Sequence, residues 1–332
     1  MKKGLYLMLS ALILLLSAGC SGAEKTDQKP LKKVKIMLDW FPNTNHTGIY
    51  VAKEKGYYKN EGLDVEIAEP GEGVSADQVV ASGKADFGIS YQENITQARS
   101  NGIPLVSLGA IIQENTSAFA SLKKDHILSP KDFEGKRYGG WGAPTEEAVL
   151  KAVMQKNNGD FSKVKNVTLG ATDFFKSIGR DADIEWIYYG WDGVEAERQG
   201  IKLNYIYLKD LDPALNYYTP VISTSEKEIK QNKDTVSKFM KATSLGYEDA
   251  IKDPKGAADI LIKQVPDINA DLVKKSQGWI SKQYQGKADQ WGYQKEEVWK
   301  RYADWMYARK LINKNIIPSE AYTNDFLPKR NE

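Results

Sequence analysis

Short apolar stretches alternate with amphipathic stretches along most of this chain. The first apolar runs predict strands at 34–38, 63–68, 85–90 and 104–112. The intervening segments 46–55, 76–82 and 93–101 predict helices, and Gly56 and Gly83 stand where helices commonly end. The same alternation then predicts strands at 136–141, 164–169, 184–189 and 204–208, with a helix beginning near Pro144. Strands that alternate with helices predict βαβ units and a mainly parallel sheet.

Beyond residue 223 the pattern becomes helical, with helices predicted at 234–252, 255–263, 270–281 and 295–309. Two α/β units and a helical return predict an α/β fold with two lobes: lobe 1 at 34–118 and 221–332, lobe 2 at 119–220. The chain would cross between the lobes near 115–121 and 217–223, which gives a hinge on which they can close over a ligand. Trp299, Tyr302, Trp305 and Met306 have helical spacing and predict a core stripe.

The N-terminal segment has the pattern of a lipoprotein signal peptide. Two lysines precede an apolar run at 5–16, and small residues lead to Cys20, the only cysteine of the sequence. We therefore expect cleavage after residue 19, acylation of Cys20, and a flexible tether at 20–33 that places the protein on the extracytoplasmic face of a membrane. A plain signal peptide or a single membrane anchor are the alternatives, although the apolar run is short for a span of about 20 residues.

The composition excludes several classes of function. With 46 basic and 44 acidic residues the net charge is +2, so no basic field indicates nucleic-acid binding. Two histidines and one cysteine cannot form a His/Cys metal cluster, and Cys20 has no partner for a disulfide. No triad motif or dinucleotide fingerprint occurs, so we expect no cofactor and no catalytic residues.

Four segments at predicted strand ends carry groups suited to a flat polar ring. In the first, Trp40 is a candidate for stacking, and Asp39 and Asn45 are candidates for bonding the edge of the ring. The alternative is structural: Trp40 in the core, and Thr44 or Asn45 capping the helix. In the second segment Tyr91, Glu93 and Asn94 follow a strand, with helix capping as the alternative.

The third segment contains Gly139, Gly140 and Gly142 before Trp141 and two glutamates. It is a weak match to a phosphate loop, because it lacks the lysine of such loops and begins a helix with acidic residues. The fourth segment runs from 185 to 195, where Asp192 and Glu195 are alternative acceptors for an exocyclic amine. Strand alternation puts Tyr188 and Tyr189 on opposite faces, so one of them is expected to line a cleft.

The runs LDWFPNTNHTGIYVAKEKGYYKNEGLDVEIAEP, ASGKADFGISYQEN, GGWGAPTEEA and IYYGWDGVEAE resemble the NMT1/THI5-like solute-binding proteins of ABC importers. The resemblance covers nearly all of the chain after the tether, and it is strongest to members that bind formylaminopyrimidine, a thiamin-pyrimidine precursor. It implies a type II periplasmic-binding-protein fold, a pyrimidine ligand, an ABC permease as partner and a monomer. It also implies an aromatic sandwich with carboxylate and amide partners, formed here by Asp39, Trp40, Tyr91, Glu93, Asn94, Trp141, Tyr189, Trp191 and Asp192.

Two other functions remain open on the sequence. A binding protein for a sulfonate, nitrate or riboflavin-like ligand is one, although an anion site needs arginines and the four segments that carry the candidate residues contain none. A pyrimidine synthase is the other, because synthases belong to the same superfamily. The resemblance places Asn94 where those enzymes have a substrate histidine, and residues 221–223 where they have an iron-binding cysteine run.

Overall fold

A computed structural model describes residues 30–71, 74–142, 144–170 and 172–329. The predicted signal peptide at 1–19 and the predicted lipid site at Cys20 lie outside these residues. Residues from Leu31 onward form one compact unit. The first strand begins at Lys32, inside the range predicted for the tether.

The described residues contain ten strands, and most lie close to the predicted positions. They are β1 Lys32–Met37, β2 Leu63–Ala68, β3 Phe87–Ser90, β4 Leu105–Ala110, β5 Ser117–Leu122, β6 Arg137–Gly140, β7 Lys165–Thr168, β8 Ile184–Tyr188, β9 Leu203–Tyr207 and β10 Val221–Ser225. The first sheet has the order β2-β1-β3-β10-β4 and the second the order β7-β6-β8-β5-β9. The two sheets are the centres of two lobes.

Fourteen α-helical segments surround these sheets in the described part of the chain. They are α1 Thr47–Glu54, α2 Tyr57–Asn60, α3 Ala76–Ala81, α4 Gln92–Ser100, α5 Pro144–Lys156, α6 Phe174–Ser177, α7 Val194–Gln199, α8 Leu208–Leu211, α9 Glu226–Gln231, α10 Lys233–Lys252, α11 Pro254–Gln264, α12 Ala270–Gln285, α13 Glu296–Ala308 and α14 Pro318–Ala321. A short 3-10 turn precedes α1 at Thr44–His46, and a π-helical turn precedes α7 at Tyr189–Gly193. The predicted helices are confirmed, with ends shifted by a few residues.

The two predicted crossings differ from the expectation, because both continue into strands. Strand β10 lies antiparallel between β3 and β4, and β5 lies antiparallel between β8 and β9. Each sheet is therefore mixed, with four parallel strands and one reversed strand. The crossings are joined to each other where they leave the sheets: the amide of Asn115 donates to the backbone carbonyl of Leu215, and its backbone N–H donates to the side chain of Asn216.

Each lobe has its own apolar core. Helix α13 contributes to both, because Trp299 packs with a cluster of lobe 1 that includes Ile95, while Tyr302 and Met306 pack with Phe119 in lobe 2. The core stripe predicted for this helix is confirmed. The sequence places all of 221–332 in lobe 1, whereas the apolar stripe of α13 is shared between the cores.

None of the helices in the described residues combines the length and the apolar character needed to cross a membrane.

Candidate functional site

Two polar side chains of lobe 1 meet at the carboxyl ends of neighbouring strands. Because β1 and β3 pair in parallel, the residues that follow them emerge side by side. Asp39 follows β1 and Tyr91 follows β3. The hydroxyl of Tyr91 donates to a carboxylate oxygen of Asp39 at 2.5 Å.

The other oxygen of Asp39 is bonded to His46 of the next turn. Asn43 and His46 form a capping box, in which the backbone N–H of Asn43 donates to Nδ1 of His46 at 3.2 Å. Since Nδ1 accepts this bond, Nε2 carries the proton and donates to Asp39 at 2.7 Å. Burial raises the pKa of Asp39, but the hydrogen bonds from His46 and Tyr91 outweigh it and hold the pKa below the usual value. Asp39 is thus an ionised group that orients its neighbours.

The residue that caps this turn is not one of the two that the sequence suggested. The side chain that caps is that of Asn43, not of Thr44 or Asn45. The hydroxyl of Thr44 instead lies 2.5 Å from that of Ser276 on α12, and the backbone carbonyl of Asn45 accepts from Tyr247. Trp40 is 40% exposed and touches Phe41 edge to face.

Glu93 in the first turn of α4 is an acid enclosed by phenols. The hydroxyl of Tyr217 lies 3.3 Å from Oε1 of Glu93, whereas Oε2 is buried and has no hydrogen-bond partner. Burial raises the pKa of Glu93 to about 8. The neighbouring Asn94 donates to Asp77, and burial raises the pKa of Asp77 as well.

Lobe 2 approaches this group through Tyr188, the last residue of β8. Its ring is nearly parallel to that of Tyr91, with the centroids 6.4 Å apart and the planes inclined by 15°. Its hydroxyl lies 3.5 Å from that of Thr219. Strand alternation sends Tyr189 the other way, where it contacts Trp279 of α12 at 5.0 Å and donates to Glu197. The ring of lobe 2 that faces Tyr91 is therefore Tyr188, and not the Tyr189 of the predicted ligand set.

The glycine-rich segment of lobe 2 holds a carboxylate. The backbone N–H groups of Trp141 and Gly142 and the hydroxyl of Tyr138 donate to Glu146. A Cβ atom at Gly140 would lie 2.4 Å from an oxygen of that carboxylate, so the close approach requires glycine. A loop whose donors already bind a carboxylate does not suit a phosphate. This agrees with the glutamates in the first turn of the helix that follows. Trp141 itself is 42% exposed and lies edge to face against Trp186 at 5.4 Å.

The π-helical turn holds Trp191 and Asp192, and Glu195 follows in the first turn of α7. Burial raises the pKa of Asp192 to about 7. Trp191 packs against apolar side chains of lobe 1, among them Tyr50 and Val273. Glu195 has both oxygens engaged by Arg198 and Gln199, and the pairing with Arg198 lowers its pKa. This pairing argues against Glu195 as a ligand acceptor and leaves Asp192 as the candidate.

The predicted site residues therefore fall into two groups. Asp39, Tyr91, Glu93 and Asn94 lie together at the strand ends of lobe 1, whereas Trp40, Trp141, Tyr189 and Trp191 contact other neighbours. Reasoning from the sequence kept Tyr188 as the alternative to Tyr189, and it did not propose Asp77, Tyr217 or His46. Alternation in β8 was the one signal for Tyr188, and it could not say which tyrosine faced the cleft.

The charges around this cleft are acidic. The groups that raise the pKa of Tyr188, after burial, include the carboxylates of Glu93, Asp39 and Glu146. Two arginines are engaged elsewhere: Arg99 with Glu226, and Arg137 with Asp183. Among the described residues, no group of three or more His, Cys, Asp or Glu side chains is arranged to hold a metal ion. A cleft of phenols and carboxylates suits a flat ring that carries hydrogen-bond donors.

Comparisons with known proteins agree on one family. Residues 43–257 match the profile of the family described as NMT1/THI5 like. A formylaminopyrimidine-binding protein of Halalkalibacterium halodurans is 27% identical, over 94% of this chain and 96% of that protein. A 4-amino-5-hydroxymethyl-2-methylpyrimidine phosphate synthase of Legionella pneumophila is 24% identical, over 89% of this chain and 92% of the enzyme.

Solved structures show the same fold. The alkanesulfonate-binding protein SsuA from Xanthomonas axonopodis pv. citri bound to MOPS superposes with a TM-score of 0.67 at 14% identity, covering 88% of this chain and 98% of that chain. The chain thus has the two-lobed α/β fold of periplasmic binding proteins, as predicted.

Proposed function

The chain belongs to the NMT1/THI5-like family, and from this premise we propose that it is the solute-binding protein of an ABC importer. Its ligand is a thiamin pyrimidine precursor, formylaminopyrimidine or hydroxymethylpyrimidine. The protein acts outside the cytoplasm as a monomer, is held to the membrane by lipid on Cys20, and delivers the ligand to its permease for salvage.

The observation that carries the proposal is the pair of phenols that face each other from the two lobes. Tyr91 and Tyr188 are nearly parallel with centroids 6.4 Å apart. A flat ring between them needs about 7–8 Å, twice a contact separation of about 3.5–4 Å. A small opening of the lobes would admit a pyrimidine, and closure would return both phenols to contact with its faces.

The charged side chains around the cleft favour a neutral, amine-bearing ring as the ligand rather than an anion. A sulfonate or nitrate site needs guanidinium groups or free helix N-termini. Arg99 donates to the backbone carbonyl of Leu105 as well as to Glu226, so both of its roles lie within lobe 1. Arg137 is engaged by Asp183 at the start of β6, at the opposite end of that strand from Trp141. Carboxylates such as Glu93 favour a ligand that donates hydrogen bonds.

A binding role is also favoured over catalysis, although the family includes synthases. The single histidine near the cleft, His46, has both ring nitrogens engaged within the protein. The amide of Asn94, at the predicted position of the synthase histidine, is bonded to Asp77. Incubation of the protein with iron and oxygen, followed by mass analysis, should yield no new pyrimidine; its formation would establish the enzyme instead.

A ligand panel tests the proposal directly. The soluble body should be titrated with formylaminopyrimidine, hydroxymethylpyrimidine, thiamin, riboflavin and an alkanesulfonate, with calorimetry and thermal unfolding as readouts. One of the two pyrimidines should bind with about −8 to −12 kcal/mol, the range of micromolar to nanomolar dissociation constants. Binding of the sulfonate or of riboflavin, with neither pyrimidine bound, would contradict the assignment.

A further inference from the structure

Glu93 has a buried oxygen without a partner, and so does the neighbouring Asp77, whose other oxygen accepts from Asn94. Asp39, by contrast, receives a donor on each oxygen, from His46 and Tyr91. In Glu93, Oε1 accepts a bond from Tyr217, while Oε2 is buried and unpaired. An unpaired buried polar atom costs about 1–3 kcal/mol, so such an atom in a native protein calls for a reason.

The surroundings of Glu93 keep its carboxyl neutral. The titratable groups that act on it, or on which it acts, are four phenols and one acid, from five different parts of the fold: Asp77 of α3, Tyr91 before α4, Tyr188 of β8, Tyr217 before β10 and Tyr302 of α13. No lysine or arginine is among them. Burial among such groups penalises the ionised form, and the pKa of Glu93 lies above 7 for that reason.

We propose that Glu93 recognises the ligand as a neutral carboxylic acid, with its carbonyl oxygen as acceptor and its hydroxyl as donor to one edge of the ring. This inference rests on the proposed function and adds to it the substrate class. The edge that fits is an amidine edge, in which an exocyclic amine stands beside an unprotonated ring nitrogen. The amine donates to Oε1, and Oε2–H donates to the ring nitrogen.

The alternative is an ionised Glu93 that binds a cationic ring. It would leave a buried carboxylate among other acids whenever the cleft is empty, which is a costly state. A neutral acid avoids that state and still offers two bonds. It also excludes ligands that carry phosphate, because an added anion would face the carboxylates of Asp39 and Glu146.

Tyr302 is a second polar group without a partner in the same region. Its ring lies 4.6 Å from that of Tyr217, its hydroxyl is buried and unpaired, and Glu93 acts on it electrostatically. The sequence places Tyr302 in a core stripe, and its ring does pack in the core. We assign its hydroxyl as a further contact to the ligand edge.

The test compares two ligands and five variants. The ligands are 4-amino-5-hydroxymethyl-2-methylpyrimidine and its 4-oxo analogue, which reverses the donor and acceptor pattern of the edge. The variants are Glu93→Gln, Glu93→Leu, Tyr302→Phe and, as matched controls on exposed positions of α13, Glu297→Gln and Tyr307→Phe. Calorimetry gives the dissociation constants, and thermal unfolding without ligand gives the stability of each variant.

Glutamine has one acceptor and one donor, like a neutral acid, so Glu93→Gln should keep the affinity for the amino ligand within about threefold. Glu93→Leu should lose about 30-fold or more, and Tyr302→Phe about fivefold, consistent with one or two lost hydrogen bonds. Because Tyr217 donates to Oε1, the acid proton stands on Oε2, so wild type should prefer the amino ligand, whose ring nitrogen accepts there, by tenfold or more. Glu93→Leu should unfold at a higher temperature than wild type, because it removes a buried unpaired acid.

Equal losses in Glu93→Gln and Glu93→Leu would overturn the inference, because they would mean that an ionised carboxylate binds the ligand. Unchanged affinity in Glu93→Leu would also overturn it, while leaving the proposed function intact. Wild-type protein that binds neither this pyrimidine nor formylaminopyrimidine would overturn the proposed function together with the inference.

Discussion

The hydroxyl of Ser276 donates to the backbone carbonyl of Gly190, and this bond joins α12 of lobe 1 to the π-helical turn of lobe 2. The same hydroxyl contacts that of Thr44, in the turn that holds His46 against Asp39. Gly190 lies two residues after Tyr188, whose ring faces Tyr91. Lobe 2 thus contacts lobe 1 at two residues near the end of β8: Tyr188 at the cleft and Gly190 at α12.

The contact at Gly190 leads to a prediction about lobe closure. A Cβ atom at this position would lie 2.9 Å from the ring of Trp279 and 3.2 Å from Ile280. Gly190→Ala should therefore push the π-helical turn away from α12, at a cost of about 1–3 kcal/mol for overpacking. We expect a larger radius of gyration in small-angle scattering and an affinity for the pyrimidine ligand lowered about tenfold.

Gly278→Ala on α12 is the matched control, because nothing lies within 4 Å of a Cβ atom there. It should raise stability by about 0.5–1 kcal/mol, the usual gain of alanine over glycine within a helix. Scattering curves of Gly190→Ala that superpose on those of wild type would show that the turn does not govern closure.

The hydrogen bond between Tyr91 and Asp39 leads to a second prediction. Tyr91→Phe removes a donor to a buried carboxylate and should lower the free energy of unfolding by about 1.5–3 kcal/mol at neutral pH. It should also raise the pKa of Asp39, which the bond now helps to hold low. A depressed pKa contributes stability above the unfolded value and loses it as pH falls through the folded value. The stability of Tyr91→Phe should thus fall less than that of wild type as the pH drops below about 5, and the two stability curves should converge at acid pH.

Urea unfolding between pH 3 and pH 7 measures both effects. Tyr307→Phe, on the 49% exposed tyrosine of α13, gives the cost of losing a hydroxyl that has no such role. If the two variants lose the same stability at pH 7, the Tyr91 bond contributes nothing specific.

The sequence predicts the framework of this protein better than its cleft. Strand β2 was predicted to its exact ends because Leu63 and Val65 face the core while Asp64 and Glu66 face solvent. Strands β5 and β10 lie in the segments predicted as crossings, and their small and polar residues are buried on both faces and show no alternation. Alternation of buried and exposed residues therefore does not mark these two strands.

The residues of the cleft likewise divide into those that the local pattern indicates and those that it does not. Asp39, Tyr91, Glu93 and Asn94 were found because polar residues after parallel strands meet at one edge of the sheet. Tyr188 was not chosen over Tyr189, because alternation gives opposite faces without saying which face meets the other lobe. The spacing of Tyr302 predicts a core residue, and only the three-dimensional structure shows that its buried hydroxyl has no partner.

A third prediction concerns the lipid anchor expected at Cys20. Cys20→Ser removes the thiol that would be acylated, so the variant should leave the membrane fraction and appear in the soluble extracytoplasmic fraction. Wild-type protein should stay with the membrane, because two or more acyl chains anchor stably at about 0.8 kcal/mol per buried CH₂ group. Fractionation with mass analysis of the N-terminal peptide measures this directly. Membrane retention of Cys20→Ser would indicate an uncleaved apolar segment instead.

The buried acid of the cleft gives a prediction for the pH dependence of stability. The pKa of Glu93 is about 8 in the folded protein, well above its ordinary value of 4.5. Between these values the folded state binds a proton that the unfolded state has lost, so this group lowers stability as pH rises, by up to about 1.4 kcal/mol per pH unit. Glu93→Gln cannot ionise, and its stability should fall less steeply from pH 5 to pH 8 than that of wild type.

Other acids with raised pKa values, such as Asp192, are common to both proteins, so the difference between the two curves reports Glu93 alone. Parallel curves over that range would mean that Glu93 is already ionised near pH 5, and the neutral acid of the cleft would have to be sought elsewhere.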